Sequence, residues 1–125
     1  MAIHKVLIVD DSPTERYYLT DILVKNGFSV STAESGEEAL AKIKADKPEL
    51  ILMDVVMPGA NGFQVTRAIS RDPELADVPV IICSSKDQET DRIWGMRQGA
   101  REYLVKPVDA AELLAKIAAI ASDRK

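Results

Sequence analysis

Short apolar runs alternate with stretches of helical periodicity along the whole chain. Val6-Leu7-Ile8-Val9, Leu50-Ile51-Leu52-Met53 and Val80-Ile81-Ile82-Cys83 are unbroken runs, which predict strands covered on both faces, as the central strands of a parallel sheet are. Phe28, Val30 and Thr32 alternate with polar neighbours and predict a half-covered second strand. Tyr103-Leu104-Val105 predicts a fifth. Helices fill the intervals. Ser12-Pro13-Thr14-Glu15 combines a capping box with proline at the first helical position. The helix that follows carries Tyr18, Leu19, Ile22 and Leu23 on one face and stops at Asn26-Gly27. Ser35-Gly36-Glu37-Glu38 opens a second with another capping box, and Ala39, Leu40 and Ile43 form its apolar stripe. After a loop with Pro58, Gly59, Asn61 and Gly62, a third helix lies around Phe63, Val65, Ala68 and Ile69. A fourth runs from about Asp87 to Gln98 and ends at Gly99. Asp109-Ala110-Ala111-Glu112 caps a fifth, carrying Leu113, Leu114, Ile117 and Ile120. Strict alternation of five strands with five helices predicts an α/β fold, a doubly wound five-stranded parallel sheet with helices on both faces.

Composition narrows the function classes. The 125 residues suit one domain, expected over 1–125 with no output domain. The net charge is -4, and the 16 Lys and Arg are scattered among 20 Asp and Glu, so neither nucleic acid nor an anionic membrane is an expected partner. A lone Cys83 excludes an internal disulfide and thiolate clusters, and the single His4 excludes a histidine pair for zinc. No run has the form of a signal peptide or approaches the ~20 apolar residues of a spanning helix. The expected location is cytoplasmic, without membrane insertion.

The chemistry gathers where the strands end. In an open parallel sheet, ligands bind beyond the C-terminal strand ends at the switch point of the winding. There the chain places Asp10 and Asp11, Asp54, Ser84 and Lys106, from four separate strands. Three carboxylates at ~5 Å would repel by roughly 3 kcal/mol per pair at an effective dielectric near 20. A cation among them, or retained protons, must relieve that repulsion. An all-oxygen set suits a hard ion such as Mg²⁺. Lys106 adds a second positive charge and Ser84 a hydroxyl donor, which together could surround phosphoryl oxygens as charge develops. One carboxylate is then the nucleophile, since no cysteine or histidine is at hand. Taken singly, each residue has a plainer role: a strand-end Asp caps a helix, Lys106 is a solvated charge, Ser84 a turn residue. Their joint placement at one sheet edge favours the chemical role.

Over its entire length the sequence resembles the CheY-like receiver family of two-component signalling. The match rests on Val9-Asp10-Asp11, Leu52-Met53-Asp54, Met57-Pro58 with Gly62, Ser84, and Lys106-Pro107. The resemblance implies strand order 2-1-3-4-5. It implies Asp54 as phosphoacceptor, with Asp11 and Asp54 as direct Mg²⁺ ligands and Mn²⁺ able to substitute. Asp10 would act largely through metal-bound water, and the Val56 backbone carbonyl would complete the protein's share. Lys106 would contact the phosphoryl group, and the Lys106-Pro107 bond would be cis. Ser84 and Tyr103 occupy the family's switch positions, where the hydroxyl moves toward the phosphate and the ring turns inward. The implied partners are a CheA-like histidine kinase or phosphotransfer domain, and a protein target on the surface of the fourth helix, fifth strand and fifth helix, with Arg92, Met96 and Tyr103 among its members. Asp10-Asp11-Ser12-Pro13-Thr14-Glu15, Lys86-Asp87-Gln88-Glu89-Thr90-Asp91, Trp94-Gly95 and Arg97-Gln98-Gly99-Ala100 further resemble the PilH-type single-domain regulators of twitching motility driven by type IV pili. Ser84 stands where threonine is commoner, and Ser85 where a smaller residue is frequent.

Other functions fit less well. A P-loop NTPase needs G-x-x-x-x-G-K-[ST], which the chain lacks. An aspartyl phosphatase wants a second acid near the nucleophile, and position 56 is valine. A flavodoxin-like cofactor binder needs a phosphate-cradling loop where this chain has two acids. A phosphate sink, or an adaptor that is never phosphorylated, is the remaining alternative to a signal carrier, and all five pocket groups argue against the adaptor.

Overall fold

The computed structural model describes residues 3–59 and 61–123, which leaves the N-terminal Met1-Ala2 of the leader reading outside. Strands and helices alternate as β1 (Lys5–Val9), α1 (Pro13–Lys25), β2 (Ser29–Ala33), α2 (Gly36–Ala45), β3 (Leu50–Met53), α3 (Gly62–Arg71), β4 (Val80–Ser84), α4 (Glu89–Arg97), β5 (Glu102–Val105) and α5 (Ala110–Asp123). All pairings are parallel, in the order β2-β1-β3-β4-β5. Fold class and strand order are as expected.

Period-two alternation divides each central strand between two cores. Leu7, Val9, Ile51, Met53, Val80 and Ile82 face Ala39 and Ile43 of α2 and Phe63, Val65 and Ile69 of α3. Val6, Ile8, Leu50, Leu52, Ile81 and Cys83 face Leu19 and Leu23 of α1 and Leu113, Ile117 and Ile120 of α5. Each fully buried Leu or Ile contributes about 1.5–3 kcal/mol of transfer free energy. The two layers clamp β1, β3 and β4, and so hold the strand ends rigidly in register.

Several helix starts differ from the sequence expectation. Ser12 Oγ accepts from the Glu15 N–H at 3.3 Å, but the Ser12 N–H donates to Asp10 Oδ1 at 2.9 Å. The Asp10 carboxylate has taken the donor that Glu15 would have used, so the first capping box is half formed. Glu38 likewise accepts from the Glu34 N–H, one residue before the expected Ser35. A complete box forms at Asn61 and Gln64, at the end of the expected loop. α4 begins at Glu89 rather than Asp87, because Gln88 keeps the extended backbone of an N-cap. Tyr18, expected on the buried face of α1, lies at its edge and donates to the Val108 carbonyl at 2.5 Å.

Candidate phosphoacceptor and metal site

The strand register builds the site. Val9 pairs with Met53, and Ser84 with Val105. The ladder continues beyond the strands: the Asp54 N–H donates to the Val9 carbonyl at 2.9 Å, the Asp10 N–H to the Ala33 carbonyl at 3.0 Å, and the Lys106 N–H to the Ser84 carbonyl at 2.8 Å. Asp10, Asp54 and Lys106 are therefore fixed by sheet hydrogen bonds although they stand at its edge. Lys106 is followed by a cis bond to Pro107.

Lys106 Nζ lies 2.8 Å from Asp10 Oδ2 and 3.2 Å from Asp54 Oδ1. One ammonium thus bridges carboxylates from two strands. Asp10 and Asp54 are buried, at 2% and 7% exposure, and Asp11 is open to solvent. Burial lifts the Asp54 carboxyl above the ordinary carboxylate range, and the Asp10 charge adds to the lift; the charge and hydrogen bond of Lys106 offset only part of it. For Lys106, burial pulls downward. Its hydrogen bond to Asp10, the Asp54 and Asp10 charges and the hydrogen bond to Asp54 outweigh that, so the ammonium is held above its usual range. The closer contact to Asp10 explains why Lys106 is well compensated while Asp54 is not.

Asp10, Asp11 and Asp54 each offer an oxygen, all within 4.8 Å of one another. Three hard donors, one of them facing water, fit a small divalent cation that keeps part of its hydration. The uncompensated charge on Asp54 points the same way.

Glycine seats α3 against this edge. A Cβ on Gly62 would stand 1.9 Å from the Asp54 carbonyl oxygen, so only glycine lets the helix start there. The Gly62 N–H donates to the Val55 carbonyl at 2.8 Å. The side chain of Val56, whose carbonyl was expected at the metal, is 60% exposed beside the site.

Ser84 is the last residue of β4 and fully buried. Its Oγ accepts from the Lys86 N–H at 3.1 Å. Tyr103 lies on β5, on the same sheet face, and its hydroxyl donates to the Lys86 carbonyl at 2.8 Å. The ring is buried. Burial raises the Tyr103 phenol, and the adjacent Ser84 hydroxyl offsets part of that rise. Cys83, on the opposite face, is pushed up to about 12 by burial and has no part in the chemistry.

Arg16 escaped the sequence reading. Its Nη1 donates to the Asp10 carbonyl at 2.7 Å, and its Nη2 lies 3.5 Å from Glu34. It braces the turn that presents Asp10 and Asp11. The signal was present: a cation close to a helix N-terminus opposes the helix dipole and needs another reason to be there.

A doubly wound sheet with an acidic triad and a bridging lysine at its switch point defines a receiver domain. The chain belongs to the response regulator receiver domain family, whose sequence profile matches residues 6–118. It is 55% identical over 116 residues to Protein PilH of Pseudomonas aeruginosa, covering 93% of this chain and 96% of that protein. Longer regulators match as well, and the chain spans 25% to 51% of their length. Among solved structures, a putative response regulator from Chloroflexus aurantiacus superposes with a TM-score of 0.92 at 32% identity, covering 96% of this chain and 98% of that one. CheY of Borrelia burgdorferi, solved in a complex with CheX, BeF3 and Mg²⁺, gives 0.86 at 31% identity, covering 94% and 88%. No helix among the described residues is long and apolar enough to cross a membrane.

Proposed function

We propose that the chain works as one receiver domain over 1–125, accepts a phosphoryl group on Asp54 from a histidine kinase or phosphotransfer domain of CheA type, and signals by phosphorylation-dependent protein binding. The observation that carries this reading is the Lys106 ammonium bridging Asp10 and Asp54 in a triad of carboxylates. An Asp54 oxygen bonds to phosphorus as the N–P bond of a phosphohistidine breaks, and the electron pair returns to the imidazole nitrogen. Lys106 then neutralises charge on the transferred group, and the Ser84 hydroxyl donates to one of its oxygens. Asp11, Asp54 and the Val56 carbonyl would hold Mg²⁺, or Mn²⁺ in its place, with Asp10 acting largely through metal-bound water, and the ion would supply further charge compensation for the phosphoryl oxygens. Turnover of external phosphoesters is not expected, because valine at 56 offers no second acid. The likeness to PilH, together with the motifs shared with twitching-motility regulators, supports a role in type IV pilus control in the cytoplasm.

Intact-mass measurement with an acyl-phosphate donor tests the core of this. One labile adduct should appear with Mg²⁺, and none after chelation or in Asp54→Ala. An undiminished adduct in that variant would move the acceptor elsewhere.

A further inference from the structure

Two grooves flank α4, and they differ in charge. One, of about 320 Å³, lies toward β5 and is lined by Asp87, Gln88, Glu89, Arg92, Tyr103 and Val105. It belongs to the surface already assigned to the phosphorylation-dependent partner. The other, of about 290 Å³, lies between α3 and α4 and is lined by Asn61, Phe63, Gln64, Arg67, Trp94 and Gln98. Its aromatic lining comes from Phe63 and Trp94, and Arg67 is the one charged side chain among the described residues that line it. The hydrogen bond from Ser70 Oγ to the Gln98 carbonyl, 2.8 Å long, ties α3 to the C-terminal end of α4 beside it.

We propose that this second groove docks an acidic segment of a partner protein that carries a large apolar side chain as its anchor. Trp94 remains 47% exposed although the core is complete without it. Tryptophan and arginine side by side are the residue types that dominate binding energy at protein interfaces. The volume is at the small end of ligand pockets, which suits one anchor side chain better than a whole small molecule. Charge selects the rest of the partner. Arg67 has no ion-pair partner among the described residues, nor do Arg71, one turn further along α3, and Arg97, one turn beyond Trp94. Cations at helix C-termini complement the helix dipole, which accounts in part for Arg71 and Arg97. Arg67, in mid-helix, has no such role. Asp91 is engaged with the Gln88 N–H at the far end of α4 and does not neutralise the groove. On a chain of net charge -4, this is a local reversal of sign at a groove that offers two aromatic rings among polar side chains.

The groove adjoins the signalling machinery without being part of it. α3 starts at Gly62, seated against the Asp54 carbonyl, and Phe63 follows directly. A Cβ on Gly95 would lie 2.8 Å from Ile82, 3.1 Å from Tyr103 and 3.3 Å from Phe63. One glycine of α4 therefore rests on both the floor of the groove and the switch aromatic.

The test uses the full chain, unphosphorylated, so its outcome is independent of Asp54 chemistry. Trp94 is the only tryptophan and reports directly. The probe is a short helical peptide with leucine or phenylalanine on one face and glutamate elsewhere; a control peptide replaces each glutamate with lysine. The acidic probe should shift Trp94 emission to the blue in a saturable way. Binding should weaken about tenfold, some 1.4 kcal/mol, in Arg67→Glu and stay unchanged in Lys25→Glu, on the exposed end of α1 across the sheet. The lysine peptide should bind Arg67→Glu better than the native protein. Absence of saturable binding, equal binding of both peptides, or equal loss in Lys25→Glu would overturn the proposal. Sedimentation showing dimers that Arg67→Glu dissociates would place a second copy in the groove and overturn it as well.

Discussion

Ser84 and Tyr103, on adjacent strands, grip the same residue from two sides: the Ser84 hydroxyl accepts from the Lys86 N–H at 3.1 Å, and the Tyr103 hydroxyl donates to the Lys86 carbonyl at 2.8 Å. The start of the β4–α4 connection is therefore held by both of the residues expected to act as the switch. A phosphoryl group that drew the Ser84 hydroxyl toward Asp54 would deprive the Lys86 N–H of its acceptor and loosen the loop leading into α4. Such a local event shifts a partner's affinity only if the partner distinguishes the two arrangements.

Ser84→Ala should accordingly leave Asp54 able to accept phosphate while reducing the phosphate-dependent gain in partner affinity. Tyr103→Phe should cost about 1 kcal/mol, the usual net worth of one hydrogen bond. It should also perturb the amide resonances of the β4–α4 loop more than those of α1. Mass spectrometry reports the first effect and NMR the second. Full retention of the phosphate-dependent affinity change in both variants would sever this coupling.

Lys106→Met removes the one ammonium shared by Asp10 and Asp54. Two buried carboxylates would then face each other without compensation, a change that typically costs 3–5 kcal/mol for a fully buried pair. The Lys106 side chain keeps 17% of its exposure, so solvent screens part of this, and a loss of about 2 kcal/mol is expected. Mg²⁺ neutralises the same acids and should restore much of the loss. Urea unfolding with and without Mg²⁺ decides it; a deficit insensitive to the ion would mean that Lys106 acts through packing alone.

Asp54 makes the metal-free protein sensitive to pH in a defined direction. Its folded pKa lies above the unfolded value near 3.8, because burial and the Asp10 charge outweigh Lys106. The folded state then binds the proton more tightly, and stability falls as pH rises from the unfolded pKa through the folded one. Asp54→Asn should therefore raise the melting temperature of metal-free protein at pH 7 by roughly a few degrees. The advantage should fade below pH ~4, where both forms are neutral. Adding Mg²⁺ should narrow the gap from the other side by stabilising the native protein more. Thermal scans across this range showing no gain at pH 7 would contradict the stated charge balance.

Much of this was legible from the residues. Unbroken apolar runs gave the three central strands, and proline and capping residues gave most helix starts, because burial and backbone donors impose those patterns locally. Asp10, Asp54 and Lys106 were readable since each follows an apolar run, and a parallel sheet aligns all such ends. What depended on competition between neighbours was not readable. Glu15 lost the Ser12 N–H to Asp10, and Asp87 and Gln88 stayed outside α4. The close approach of Gly95 to Tyr103, where an added Cβ would stand 3.1 Å away, joins α4 to β5 through a contact that no local pattern displays. Arg16 stands out as a cation near a helix N-terminus, but its partner is a backbone carbonyl, which that pattern does not name.

The lifetime of the phosphorylated state should follow from Val56 and Lys86. Val56 lies two residues beyond Asp54, and its largely exposed side chain is apolar. It offers nothing to orient a water for attack on phosphorus. Lys86 lies two residues beyond Ser84; its backbone is engaged by Ser84 and Tyr103, while its side chain points to solvent. An ammonium there can draw in a phosphoryl oxygen but cannot accept a proton from water, whereas a carboxylate or amide can position that water. Slow self-dephosphorylation is therefore expected in the native protein. Val56→Asn and Lys86→Glu should each shorten the lifetime, by about tenfold if water positioning is worth some 1.4 kcal/mol in the transition state. Neither should reduce initial phosphorylation by a small acyl-phosphate donor, because Asp54 and Lys106 are untouched. Decay of the Asp54 adduct, followed by intact mass after removal of the donor, measures this directly. Unchanged or slower decay in both variants would show that the rate is set by the Lys106 and metal contacts rather than by access of water.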